Sequence, residues 1–77
     1  MSVEEQVQRV IAERLHVDGD RLSLGADFRK DLHCDDLKLL DLLVELESRF
    51  GVEIDERKAR RLRTVKDACE CVREAAN

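Results

Sequence analysis

Asp31-Leu32-His33-Cys34-Asp35-Asp36-Leu37 holds the residues of this chain best able to do chemistry: an imidazole, a thiol and two carboxylates at four consecutive positions. Three chemistries can be weighed against that spacing. A zinc site on His33, Cys34 and the neighbouring aspartates would lack both the paired ligand spacing of structural zinc and the open three-ligand set of catalytic zinc. A nucleophile and its base would need a partner for His16 or His33, the only histidines, and neither stands in such an arrangement. Asp35 and Asp36 fall where a helix begins, and there the macrodipole favours fixed negative charge and does not poise a pair for proton transfer near neutrality. The segment reads as a binding feature, and the chain as no enzyme. Cys69 and Cys71 are two apart, so on a helix they project to nearly opposite sides. With Cys34 distant in sequence, the three thiols are expected to be reduced and mostly buried.

Length and composition bound the elements that must position this segment. The 77 residues suit one domain, 1–77, with a modest core. With 42% charged residues, two aromatics and no proline, strand formers are too sparse for a sheet, so the fold class is all-α. No apolar run approaches the roughly 20 residues of a membrane span, and the acidic, amphipathic region at Met1 is unlike a signal peptide. A cytoplasmic location is the default expectation.

Periodicity divides the chain into three main helices and one short one. Val3, Val7, Val10, Ile11 and Leu15 form a first buried stripe, opened by Ser2 and Glu5 as a capping box and ending near Leu15. Residues 16 to 34 read as a long loop whose Leu22, Leu24, Phe28 and Leu32 plug the core. A central helix follows over roughly 36 to 50, capped by Asp35 and stopped by Gly51. After a short turn near 56 to 61, Thr64 with Asp67 starts a last helix that buries Val65, Ala68, Cys69 and Val72.

On a wheel with about 100° per residue and Leu37 at zero, Leu42, Leu46, Leu39, Phe50 and Leu43 span roughly 140° to 240°, one core-facing arc. Leu40, Val44 and Leu37 lie between about 300° and 0°, a second apolar strip edged by Asp36, Glu47 and Asp41. One arc satisfies a bundle. The surplus strip either packs under the long loop or docks a basic, partly apolar partner surface, since apolar patches rimmed by charge mark interaction sites.

Across nearly its whole length the sequence resembles the acyl carrier proteins, whose signature Asp-Ser-Leu opens the second helix and carries 4'-phosphopantetheine on the serine. Val7, Ile11 and Leu15 are similar to the first-helix core of that family, and Phe28 with Asp31-Leu32 to the approach to the signature. Asp35 and Leu37 flank the modification position, which Asp36 occupies. Leu42, Leu46, Glu47 and Phe50 match the second helix; Glu53-Ile54, Ala59, Thr64-Val65 and Ala68 match the third and fourth. The resemblance implies a small bundle of three main helices plus one short helix, with the long loop between the first two. It also implies docking through Leu37, Leu40, Asp41, Val44 and Glu47 onto basic patches of acyl-chain-assembling enzymes. Ile54, Ala59 and Leu62 would contribute to a cleft for the acyl chain.

Against that pattern Asp36 supplies no hydroxyl, so the arm cannot be loaded there and no cofactor is expected on the chain as it stands. His33 and Cys34 stand where small residues are usual, and Lys38 and Leu39 where acidic and small polar ones are. Charge is also divided: residues 1 to 56 hold 7 basic and 15 acidic side chains, residues 57 to 77 hold 7 basic and 3 acidic. Arg57, Lys58, Arg60, Arg61, Arg63 and Lys66 carry most of the positive charge, in a region usually acidic in carriers. This cluster is expected either to pair with the acidic central helix or to meet a protein partner. It is short and lacks interleaved aromatics, which argues against nucleic acid. Two functions follow for an expected monomer. One is an interaction protein of fatty acid or polyketide assembly that docks without an arm. The other is a genuine phosphopantetheine carrier whose attachment serine was exchanged for Asp36 by design.

Overall fold

Local signals set the helix boundaries. The computed structural model describes residues 2–19 and 22–77, so Met1 and positions 20 and 21 of the long loop lie outside it. Helix α1 runs Val3–Leu15, α2 Asp36–Phe50, α3 Glu56–Arg61 and α4 Val65–Ala76. The all-α bundle of three main helices and one short one is as expected. The Ser2 side chain accepts from the Glu5 N–H at 3.2 Å, but the Glu5 carboxylate takes the Ser2 hydroxyl at 3.3 Å, so that box is made on one side only. Asp35 caps α2 by accepting from the Lys38 N–H at 2.8 Å, and Gly51 ends it at φ 63°, a left-handed position that suits glycine. The Thr64–Asp67 box is complete in both directions.

The buried face of α2 is the predicted arc: Leu39, Leu42, Leu43 and Leu46 are buried, with Phe50 packed beside them. α1 packs on α2 and α4, and α2 on α4. Ile11, Leu42, Leu46 and Val65 lie fully inside, and burial of such side chains contributes about 1.5–3 kcal/mol each. All three cysteines are free and buried. Cys71 is inside as well as Cys69 because Leu62 and Lys58, at and before the end of α3, lie against that side of α4.

The long loop is tied down by backbone bonds to the connection before α4 and to its first turn. Phe28 N–H donates to Arg63 O at 2.9 Å, Val65 N–H to Ala26 O at 3.0 Å and Lys66 N–H to Leu24 O at 2.8 Å, with an antiparallel bridge between Asp27 and Thr64. Leu22 and Phe28 fill the core as expected, and Leu32 packs half-buried against it. Leu24 does not: it is 40% exposed, because the chain turns there to meet Lys66 and sends Ala26 inward instead. No helix of the described residues is long and apolar enough to cross a membrane.

Candidate functional site

A turn built on Asp27 presents the head of α2. The Asp27 carboxylate accepts from the Arg29 and Lys30 N–H groups, both at 2.9 Å, and Asp31 accepts from the Asp27 N–H at 2.7 Å. The Lys30 N–H bond foremost, and the Arg29 one with it, hold the Asp27 carboxyl below its usual range against the opposing effect of burial. The Cys34 N–H then donates to Phe28 O at 2.7 Å, which seats the thiol inside the core. Between them His33 adopts φ 53°, as His16 adopts φ 56° at the end of α1. Both histidines thus occupy left-handed turns, where histidine is more tolerated than most side chains. Cys34 points into the core and His33 does not, so the segment does not converge on a metal, and among the described residues no group of three candidate ligands does.

Asp36 is exposed, and its carboxylate pairs with the Arg29 guanidinium. Residues 35 to 39 are Asp, Asp, Leu, Lys and Leu, so the first turn of α2 offers no hydroxyl. Ser48, the nearest on the helix, is twelve residues on, roughly 18 Å along the axis.

Leu37, Leu40 and Val44 are 76%, 59% and 54% exposed, so the second strip does not pack under the loop. Of the carboxylates expected to rim it, Asp41 pairs with Arg14 of α1. Glu47 is half-buried and accepts from the Ile54 N–H at 2.9 Å, tying down the chain after α2. That bond gives it a structural duty which spacing on one helix could not reveal.

Beside the strip a groove of about 370 Å³ opens between α2 and α3. Leu39, Leu40, Leu43, Ala59 and Leu62 line its wall, and Arg29, Asp36 and Arg60 its mouth. Ala59 and Leu62, two of the cleft candidates, both line this groove. Ile54 is not part of this groove; it packs half-buried against the core. Leu39 and Leu43, assigned to the core from the wheel, show their edges to it.

The basic segment does not pair with α2 as one expectation had it. Lys58 pairs with Glu74 of α4, and Arg60 with Glu56 of its own helix. The acids of α2 are answered instead by Arg14, Arg29 and Arg49. Arg14 comes from α1, which lies along α2, Arg29 from the Asp27 turn and Arg49 from α2 itself, whereas α3 meets only the first half of α2.

Comparison with known proteins gives a consistent picture. Residues 5–72 match the family model described as phosphopantetheine attachment site. An acyl carrier protein of Nitratidesulfovibrio vulgaris (strain DP4) is 42% identical over 72 residues, covering 94% of this chain and 95% of that one. One from Rubrobacter xylanophilus is 40% identical over 68 residues, covering 88% and 84%. A solved structure from Mycobacterium tuberculosis, described as a candidate acyl carrier protein, superposes with a TM-score of 0.87 at 32% identity, covering 95% of this chain and 97% of that one.

Proposed function

The chain belongs to the acyl carrier protein family, and we propose that it is a member that docks onto enzymes of acyl-chain assembly without carrying an arm. Acyl carrier proteins are carriers and not enzymes, and their family bears 4'-phosphopantetheine and works with enzymes of acyl-chain biosynthesis. Asp36 stands, in this reading, at the attachment position. A carboxylate there gives no stable phosphodiester, and its pairing with Arg29 makes it a fixed charge at the edge of the docking strip.

The observation that carries the docking reading is the row of exposed Leu37, Leu40 and Val44 on α2. Large apolar side chains in a line, with Asp36 and Asp41 beside them, fit a partner surface that is apolar at its centre and basic at its rim. The test is binding to a ketoacyl synthase from the same genome. A Leu40→Ser/Val44→Ser variant should stay folded and lose the complex, whereas retained binding would remove the strip from the account.

One observation favours a second reading. The groove below Asp36 keeps an apolar wall of Leu39, Leu43, Ala59 and Leu62 that an unloaded protein does not need. A genuine carrier with its serine exchanged for Asp36 would use it to shelter an acyl chain. Coding triplets at position 36 separate the two: serine in the genome supports the carrier, aspartate the docking protein.

A further inference from the structure

On the side of the molecule between α3 and the Asp27 turn lies a larger groove, of about 610 Å³. Five cationic side chains line it: Arg29 and Lys30 from the turn, Arg60 and Arg61 from α3, and Arg63 from the connection to α4. Leu62 explains how the last two come together. It is buried between them in extended backbone, φ −69° and ψ 126°, so the residues on either side face outward. The Phe28–Arg63 backbone bond and the Asp27–Thr64 bridge then fix the turn across from them. The convergence is therefore set by the fold.

The charge in this groove is not balanced from within. Arg29 pairs with Asp36 and Arg60 with Glu56, both outside the lining or at its edge. Among the described residues, Lys30, Arg61 and Arg63 have no ion-pair partner. Asp27 is the one carboxylate of the lining; it faces Lys30 and Arg63 and can offset only one of the five positive charges. A concave surface lined by one sign of charge focuses its potential and gathers counter-ions.

We propose that this groove binds a polyphosphate-bearing anion, either a nucleoside polyphosphate or inorganic polyphosphate. Three points favour that chemistry. The volume lies within the roughly 300–1,000 Å³ of small-ligand sites, and a flat acidic protein face would not enter it. Arginine forks engage phosphate oxygens in pairs, and several of them converging suit a ligand with several charges better than a single carboxylate. Phe28, the aromatic of the lining, is 1% exposed, so no ring is offered for stacking a nucleic-acid strand. None of Leu37, Leu40 and Val44 lines this groove, although it shares Arg29, the partner of Asp36, with the groove beside the strip.

The test is calorimetric titration of the full chain at low ionic strength with tripolyphosphate, ATP, adenosine and polyglutamate. Tripolyphosphate and ATP are expected to bind and adenosine not to. Equal affinities for the first two would assign the site to the phosphate chain alone, and a tighter ATP complex to a nucleotide. Arg61→Gln/Arg63→Gln should weaken binding about tenfold or more, while Arg57→Gln/Lys66→Gln, which removes the same charge outside the groove, should change it less than about twofold. Lys30→Gln, a single exposed change, should weaken it by several-fold and covers the case in which the first pair does not fold. Equal loss from both pairs, tighter binding of polyglutamate, or no binding of either phosphate ligand would overturn the proposal.

Discussion

Arg29, held in the turn that Asp27 caps, pairs its guanidinium with the carboxylate of Asp36 at the head of α2. The Asp36 carboxylate is thereby turned towards the Asp27 turn, while Leu37, Leu40 and Val44 stay exposed and without such a partner. Both partners are well exposed, so the contact contributes at most about 1 kcal/mol to the fold. Its importance in this account is local: it fixes where the charge at position 36 sits relative to the apolar strip.

Exposure and burial on α2 should separate folding from binding. Leu40→Ser/Val44→Ser changes side chains that are more than half exposed, and its unfolding free energy should stay within about 0.5–1 kcal/mol of the parent. Leu46→Ala, fully buried, should lose about 2–5 kcal/mol. Partner binding, read by pull-down or calorimetry, should rank the other way, and added salt should weaken the parent complex because its rim is ionic.

The start of α4 predicts a pH dependence. Burial acts to raise the Asp67 carboxyl, but hydrogen bonds from the Arg63 and Thr64 N–H groups and the Thr64 side chain outweigh it and hold the group below its usual range. A depressed folded-state value means stability that is present above the ordinary carboxylate range and lost as pH falls through the folded one. Asp67→Asn should therefore destabilise at pH 7, and the difference should shrink towards pH 2 in parallel denaturant titrations. A difference that holds constant down to pH 2 would mean that packing, and not charge, accounts for the loss.

The thiols predict the opposite trend at high pH. Burial pushes Cys69 up to about 11 and also raises Cys34 and Cys71. A raised folded-state value contributes stability below the ordinary thiol range that is lost as pH rises through the folded one. Unfolding midpoints should fall between about pH 9 and 11, and a disulfide-exchange reagent at pH 8 should titrate the three thiols only after denaturant is added. Rapid labelling of native Cys69 would contradict this packing.

What could be seen in the sequence was what depends on neighbours along the chain. Asp35 and Gly51 bound α2 through bonds reaching three or four residues, and the wheel separated Leu42 and Leu46 from Leu40 and Val44 because helical geometry alone decides that. Features set by distant partners are not visible there. Glu47 meets Ile54 beyond the helix end, Leu24 turns outward to meet Lys66, and Arg63 comes opposite Lys30 through the Phe28–Arg63 backbone bond and the Asp27–Thr64 bridge. The basic segment reads in the sequence as a charge run, but its sharing of a groove with Arg29 and Lys30 follows from the fold alone. A hint was present in the Asp27-Phe28-Arg29-Lys30-Asp31 spacing, which suits an aspartate-capped turn holding two cations outward.

In the proposed function the chain keeps a carrier's docking face while Asp36 leaves it unloaded. Intact-mass measurement after incubation with coenzyme A and a broad-specificity phosphopantetheinyl transferase tests it most directly, with the parent chain and Asp36→Ser side by side. The account predicts an unchanged mass for the parent and the gain of one arm for the serine variant. An arm on the parent, at Ser23, Ser48 or elsewhere, or a serine variant that is folded yet never loaded, would contradict it.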